Sequence, residues 1–365
     1  MTVVNPYTSL PDHAFWKKAV ANRRPREING LWTPQFEIKK DHLIATAGSC
    51  FAQHIGRALK ARGYNWHDSE PAPLLMRANK EKCTLFNYGI FTFRTGNIYT
   101  VALLKQWLDW SLEKIEPPEE IWKNPNQRYY DLFRPNIEPN GFKSMNEALK
   151  SRQSTLKAIK RSLQKTDLFI FTLGLTEAWI NNKEQYVYPM CPGTLAGDFD
   201  PNLHQFKNYN FLETYTALNE VLDTLKILNP KMRFLLTVSP VPLTATASGE
   251  HVVTATIHSK SILRAVAGEL KASRADTDYF PSYEIISAFP FRGVFYAENL
   301  RNVQPQGVNF VMNAFFNCQE RVFGKSNSAS TPVTPENNLP NNLKASTQKT
   351  SDEICEDALL EAFKK

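Results

Sequence analysis

Three places in the chain combine reactive side chains with flanking residues that would hold them still. The first is GSCFAQHIGRALKARGY, residues 48–64. The apolar run HLIATAG (42–48) leads into it, and Phe51, Ile55 and Leu59 follow at helical spacing. Ser49 and Cys50 therefore fall at a strand-to-helix turn, beside amide hydrogens that no helical carbonyl can take. A thiol there has its thiolate favoured by the positive helix end and becomes a nucleophile near neutral pH. A hydroxyl there needs a base but finds oxyanion donors ready, with Gly48 and the amides near Phe51 forming the cradle. A plainer reading makes Ser49 a helix cap and Cys50 a small buried residue. The turn is not a GxSxG elbow and lacks the glycines of a dinucleotide or phosphate loop, so no cofactor is expected.

The second place is TLGLTEAW (172–179), at the end of the run LFIFTLG (168–174). Gly174 permits close backbone approach, and Thr176 and Glu177 arrive where a polar group reaches a ligand above the sheet. They also suit the start of a helix. The proline-flanked YPMCPGT (188–194) is placed to wall the same cleft. The third place follows RFLLTVS (233–239), where a long loop rich in small hydroxylated residues carries His251, and His258 lies near the start of the next helix. A lone histidine is more often structural than catalytic, but this loop leaves the functional side of the sheet. His251 is accordingly the first candidate base.

The elements that must position these groups are legible as well. Ser144 with Glu147, and Asn210 with Glu213, mark helix starts, and Phe211, Tyr215, Leu218, Leu222 and Leu225 form one stripe. Continuous apolar strands alternating with amphipathic helices imply a parallel sheet covered on both faces, with ligands bound beyond the carboxyl ends of its strands. Hydrophobic residues make up 42% and charged residues 22% of the 365, which excludes a disordered chain. No apolar run approaches the ~20 residues of a membrane span. The charge of +7 is mildly basic; even with Arg23, Arg24 and Arg26 clustered, no nucleic-acid motif accompanies it. Five scattered cysteines lack zinc-ligand spacing, so neither a disulfide frame nor a metal is expected. The N-terminus lacks the pattern of a cleaved signal, and a cytoplasmic location is expected. The organisation reads as an arm packed on the body (1–40), an α/β body (41–323), a disordered polar linker (324–350), and a short amphipathic helix (351–365) that docks on the body or on a protein partner.

GSCFAQHIG resembles the signature of the GSCFA-domain proteins, a family grouped with the SGNH/GDSL hydrolase superfamily. RTGNIYT (94–100), TLGLTEAW, SPVPLTAT (239–246) and DYFPSYEI (278–285) look like its further blocks, so the resemblance covers roughly residues 40–320. It implies a flavodoxin-like three-layer α/β/α sandwich, and ester hydrolysis or acyl transfer on carbohydrate esters in polysaccharide biosynthesis. It places Cys50 at the nucleophilic serine and Ser49 at the adjoining aspartate, with Ser49 still an alternative nucleophile. The oxyanion glycine of the second block corresponds to Gly96, beside Asn97, with Gly89 as a second choice. The third block's glycine and asparagine correspond to Gly174 and Thr176. In the last block Asn299 and Asn302 stand where the superfamily has its aspartate and histidine. Neither can accept a proton, so the base falls to His251, then Glu177, then His54, which sits one helical turn beyond Cys50. The departure also motivates a second reading, a catalytically degenerate sugar- or partner-binding module.

Overall fold

The computed structural model describes residues 5–124 and 126–324. In chain order the strands are β1 (Ile44–Gly48), β2 (Trp122–Lys123), β3 (Tyr129–Tyr130), β4 (Leu168–Leu173), β5 (Glu177–Asn181), β6 (Val187–Tyr188), β7 (His204–Asn208), β8 (Arg233–Val238) and β9 (Thr277–Tyr279). The helices are α1 (Phe51–Ala61), α2 (Lys80–Leu85), α3 (Val101–Ser111), α4 (Met145–Leu163), α5 (Phe211–Leu228), α6 (Val252–Ser273), α7 (Ser282–Ser287) and α8 (Pro305–Phe323). The central sheet has the order β1-β4-β8-β9, and every pairing in it is parallel.

The three apolar runs became β1, β4 and β8, and the period-two geometry of a strand explains the layers. Phe169, Phe171, Phe234 and Leu236 point to one face, where they meet Leu104, Leu156, Leu222 and Val266 from α3, α4, α5 and α6. Ile170 and Leu235 point to the other face, against Ile55, Ile285 and Phe315 from α1, α7 and α8. Both faces are buried, so the strands carry no polar alternation. This is an α/β/α sandwich of three layers around a parallel sheet.

The helix starts follow the capping chemistry. Asn210 and Glu213 close both arms of a capping box. Ser144 accepts from the Glu147 amide at 3.2 Å, while Glu147 reaches back to the amide of Lys143 rather than that of Ser144. Two expectations are corrected. Thr176 and Glu177 do not open a helix: Glu177 begins β5, the middle strand of a small antiparallel sheet ordered β6-β5-β7. Helix α6 begins directly after His251, which is its N-cap, so His258 lies inside the helix rather than near its start.

The segment before β1 packs against the body. Ile28, Trp32, Phe36 and Ile38 are buried in the layer of α8. Asp278 on β9, fully buried, accepts from Trp32 Nε1 at 3.1 Å and from the Gln35 amide at 2.9 Å, and Lys271 Nζ lies 3.1 Å from its other oxygen. The linker expected at 324–350 lies outside the described residues except for Gly324, as does the helix expected at 351–365. No described helix is long and apolar enough to cross a membrane.

Asp278→Ala strands three donors, among them the Tyr279 amide at 2.7 Å, and the Lys271 charge, at a cost of about 3 kcal/mol. The urea midpoint is expected to fall, and limited proteolysis is expected to cut within residues 5–40 before it cuts the body.

Candidate active site

The corner at the end of β1 is made by contact with β4. Gly48 has φ +132°, and a Cβ there would lie 2.3 Å from the carbonyl oxygen of Thr172, so only glycine fits. The Ser49 amide donates to that same oxygen at 3.1 Å, and the Ile98 amide donates to Gly48 O at 2.8 Å. The chain then enters α1 with Cys50 at its N-cap in helical geometry, where its side chain makes no capping bond. Ser49 does not cap the helix: its Oγ is buried without a hydrogen-bond partner. Both residues are largely covered, Cys50 at 7% and Ser49 at 2% exposure. Both nevertheless line a cavity of about 240 Å³ above the strand ends.

The end of β4 is pinned beside this corner. The amides of Gly174 and Leu175 both donate to Tyr99 O, at 3.1 and 2.9 Å. A Cβ on Gly174 would come within 2.8 Å of that oxygen and 3.1 Å of Ser49 Cβ. Gly174 and Glu177 also line the cavity. Glu177 accepts from the Thr246 hydroxyl at 2.8 Å; burial pushes its carboxyl above the usual range, a shift that the Thr246 bond opposes. The 188–194 loop does wall the cleft, through Tyr188, Pro189, Met190, Cys191 and Thr194. Apolar and aromatic groups such as Leu103, Leu175, Trp179, Phe206 and Leu243 complete most of the rest.

Other sequence candidates are not brought to the cavity, whose lining includes no histidine among the described residues. His251 is exposed, and its Nδ1 accepts from the Val253 amide at 3.2 Å, which is the work of a helix cap. His54 packs along α1 with its ring 5.5 Å from that of Phe51, and burial together with the Arg57 charge pushes it down to about 4. Thr176 commits its amide to Ser259 Oγ (3.0 Å) and its hydroxyl to Asn208 Oδ1 (2.7 Å), so its donors are spent on the fold. Gly96 and Asn97 stay outside the lining, although Tyr99 and Thr100 of the same block reach it; Asn97 donates to Tyr99 OH at 3.0 Å. Gly89 is likewise outside. Gly48 and Phe51 act from behind the cavity surface, as the corner and the first helical residue.

Asn299 and Asn302 do not line the cavity either. Asn299 Oδ1 accepts from the amides of Arg301 and Asn302, both at 3.0 Å, and the Ala297 amide donates to Asn302 O at 2.8 Å. This turn delivers Arg301, which lines the cavity and donates to Thr244 Oγ1. Sequence reasoning missed Arg301, since the eye goes to the asparagines on either side of it.

It also missed Lys260, which is 1% exposed on α6 and donates to Gly174 O at 2.7 Å. Burial pushes this ammonium down to about 7, Cys50 opposes the shift and Arg301 adds to it. The signal was available: Lys260 precedes Leu263 and Ala267 at i+3 and i+7, which puts a cation on the buried stripe of its helix. Among the described residues no cluster of three or more His, Cys, Asp or Glu is placed to hold a metal ion.

Comparison with known proteins adds one match. The family model described as the GSCFA family matches residues 43–315. No curated protein matches the chain.

The half-buried His54 makes stability depend on pH with a definite sign. Its folded value of about 4 lies below the ordinary 6.5, so between these values the unfolded chain binds a proton that the folded chain refuses. Its contribution is complete above pH 6.5 and is lost as pH falls toward 4, by on the order of 3 kcal/mol. Urea midpoints measured at pH 7.5 and 4.5 are expected to differ more in the wild type than in His54→Gln.

Proposed function

The chain belongs to the GSCFA family, and from that premise we propose an SGNH-like esterase or acyltransferase that uses Cys50 to attack carbohydrate or polysaccharide-type esters. The observation that carries this reading is the pairing of Cys50 and Ser49 at the N-terminus of α1 on the surface of one cavity. A thiol at a helix N-terminus suits nucleophilic attack, and it lightens the load on a base.

Cys50 Sγ attacks the ester carbonyl carbon, and the tetrahedral oxyanion is held by the backbone amides of Cys50 and Phe51 at the head of α1 together with the Ser49 hydroxyl. That hydroxyl has no protein partner, which leaves its proton for the substrate oxygen. Glu177, biased toward its protonated form, gives a proton to the departing alkoxide as the carbon–oxygen bond breaks. The acyl group then sits on sulfur as a thioester. Water, or an acceptor hydroxyl, attacks next and returns a proton to Glu177, and the sulfur leaves with its electron pair. Trp179, Tyr188 and Phe206 offer faces on which a sugar ring can stack. No step draws on a cofactor, and a reducing cytoplasm would keep the thiol competent.

A binding-only reading draws support from the use of Asn299 and Asn302 as turn residues in place of an acid–base pair. General-base assistance is worth ~10²–10⁴ in rate, so the mechanism written above implies slow turnover or an activated acyl donor.

Turnover of p-nitrophenyl acetate is expected to fall about 10³-fold or more in Cys50→Ala, and about 10²-fold in Ser49→Ala with labelling of Cys50 by iodoacetamide retained. Equal turnover by wild type and Cys50→Ala would overturn the enzymatic reading. Binding of sugars in thermal-shift assays without any turnover would support the module.

A further inference from the structure

We infer that Lys260 is a positioning residue that holds the Cys50 sulfur as a thiolate, forming a lysine–cysteine ion pair beneath the cavity surface. The inference rests on the proposed nucleophilic role of Cys50 and names how that nucleophile is made ready.

An ammonium carries three donors. Among the described residues, the hydrogen bond of Lys260 goes to one neutral acceptor, Gly174 O, and no carboxylate lies within ion-pair distance of its nitrogen. A fully buried cation so poorly provided for must lose its proton or find an anion. A Cβ on Gly174 would come within 3.1 Å of Ser49 Cβ, so the ammonium bonded to Gly174 O lies close behind the corner that carries Cys50. Cys50 acts on Lys260 in the sense expected of a negative sulfur, favouring the charged amine against its burial. The effect is mutual, and the amine favours the thiolate in turn. In the pairing step the proton moves from sulfur to the Lys260 nitrogen, leaving S⁻ and NH₃⁺. When the acyl group transfers to sulfur the ammonium keeps its proton, and the pair re-forms as the thioester breaks.

The other charged or titratable groups around this corner are few. Arg301 reaches it from the turn after α7 and disfavours a second cation, which strengthens the need for an anion there. Glu177 on β5 is occupied by Thr246, and its electrostatic neighbours are Glu250 and His258. His54 on α1 is neutral above about pH 4. Tyr99 approaches from the loop before α3. On α6, the neighbouring Ser259 is spent on the Thr176 amide.

The test is the pH dependence of Cys50 alkylation by iodoacetamide, followed site by site through peptide mass mapping in wild type, Lys260→Met and Lys260→Arg. The wild-type rate is expected to reach half its maximum at least one pH unit below the ~8.5 of a free thiol. Lys260→Met is expected to move that midpoint up by one unit or more, and Lys260→Arg to restore part of the shift. An unchanged midpoint in Lys260→Met, with Cys50 still alkylated, overturns the inference and leaves the nucleophile standing. Turnover unchanged in Cys50→Ala would instead remove the reading on which the inference rests. Should Lys260→Met fail to fold, the thiolate absorbance near 240 nm in wild type minus Cys50→Ser decides the matter. A step below pH 8 supports the pair, and a step at 8.5 or above overturns it.

Discussion

The carbonyl oxygen of Thr172 occupies the space a side chain at position 48 would need, and the corner that carries Ser49 and Cys50 is built on that contact. With glycine there, β1 and β4 run side by side to their last residues, where Gly48 faces Thr172. The same oxygen takes the Ser49 amide, which turns the chain away from the sheet and into α1. Ser49 and Cys50 are left beyond the carboxyl end of β1, where ligands bind in open parallel sheets, and both line the cavity there. Tyr99 O performs the matching service one strand over, taking two amides and fixing Gly174 against Ser49.

Above this corner the cavity sets charge against an apolar wall. Among the residues that line it, Glu177 is the acidic and Arg301 the basic side chain, while Leu103, Trp179, Phe206 and Leu243 exclude water. Low dielectric magnifies every electrostatic interaction that remains. It raises the carboxyl of Glu177, depresses the ammonium of Lys260, and gives weight to a sulfur that would count for little at the surface. A cavity of about 240 Å³ with few polar groups in it suits a compact ligand held by shape, with chemistry confined to one end.

Asn299 and Asn302 stand where the sequence-based expectation of an SGNH/GDSL hydrolase puts an aspartate and a histidine. In the fold, Asn299 closes a turn with its side-chain oxygen, and the turn presents Arg301 to the cavity. The histidines that might have replaced the missing base have structural duties instead: His251 caps α6 and His54 stays neutral within α1 packing. The buried cation behind the corner, Lys260, comes from the middle of α6, on the stripe it shares with Leu263 and Ala267.

Whatever depends on neighbours in the chain could be read from the residues alone. The three apolar runs, the caps at Asn210 and Ser144, and the strand-to-helix turn at Ser49 and Cys50 all express local preference or periodicity. The order of the strands, the short β9 and the small sheet of β5, β6 and β7 could not be read that way. β6 and β9 have too few residues for a pattern, β5 and β7 lack a continuous apolar run, and their pairing is settled by partners elsewhere in the chain. The candidate residues divide along the same line. The corner of Ser49 and Cys50 is local in the chain, whereas it is tertiary packing that puts Glu177 in the cavity wall, leaves His251 outside it and sets Lys260 against Gly174 O. Residues 86 positions apart, Lys260 and Gly174, meet only after the sheet has formed and α6 has docked on it.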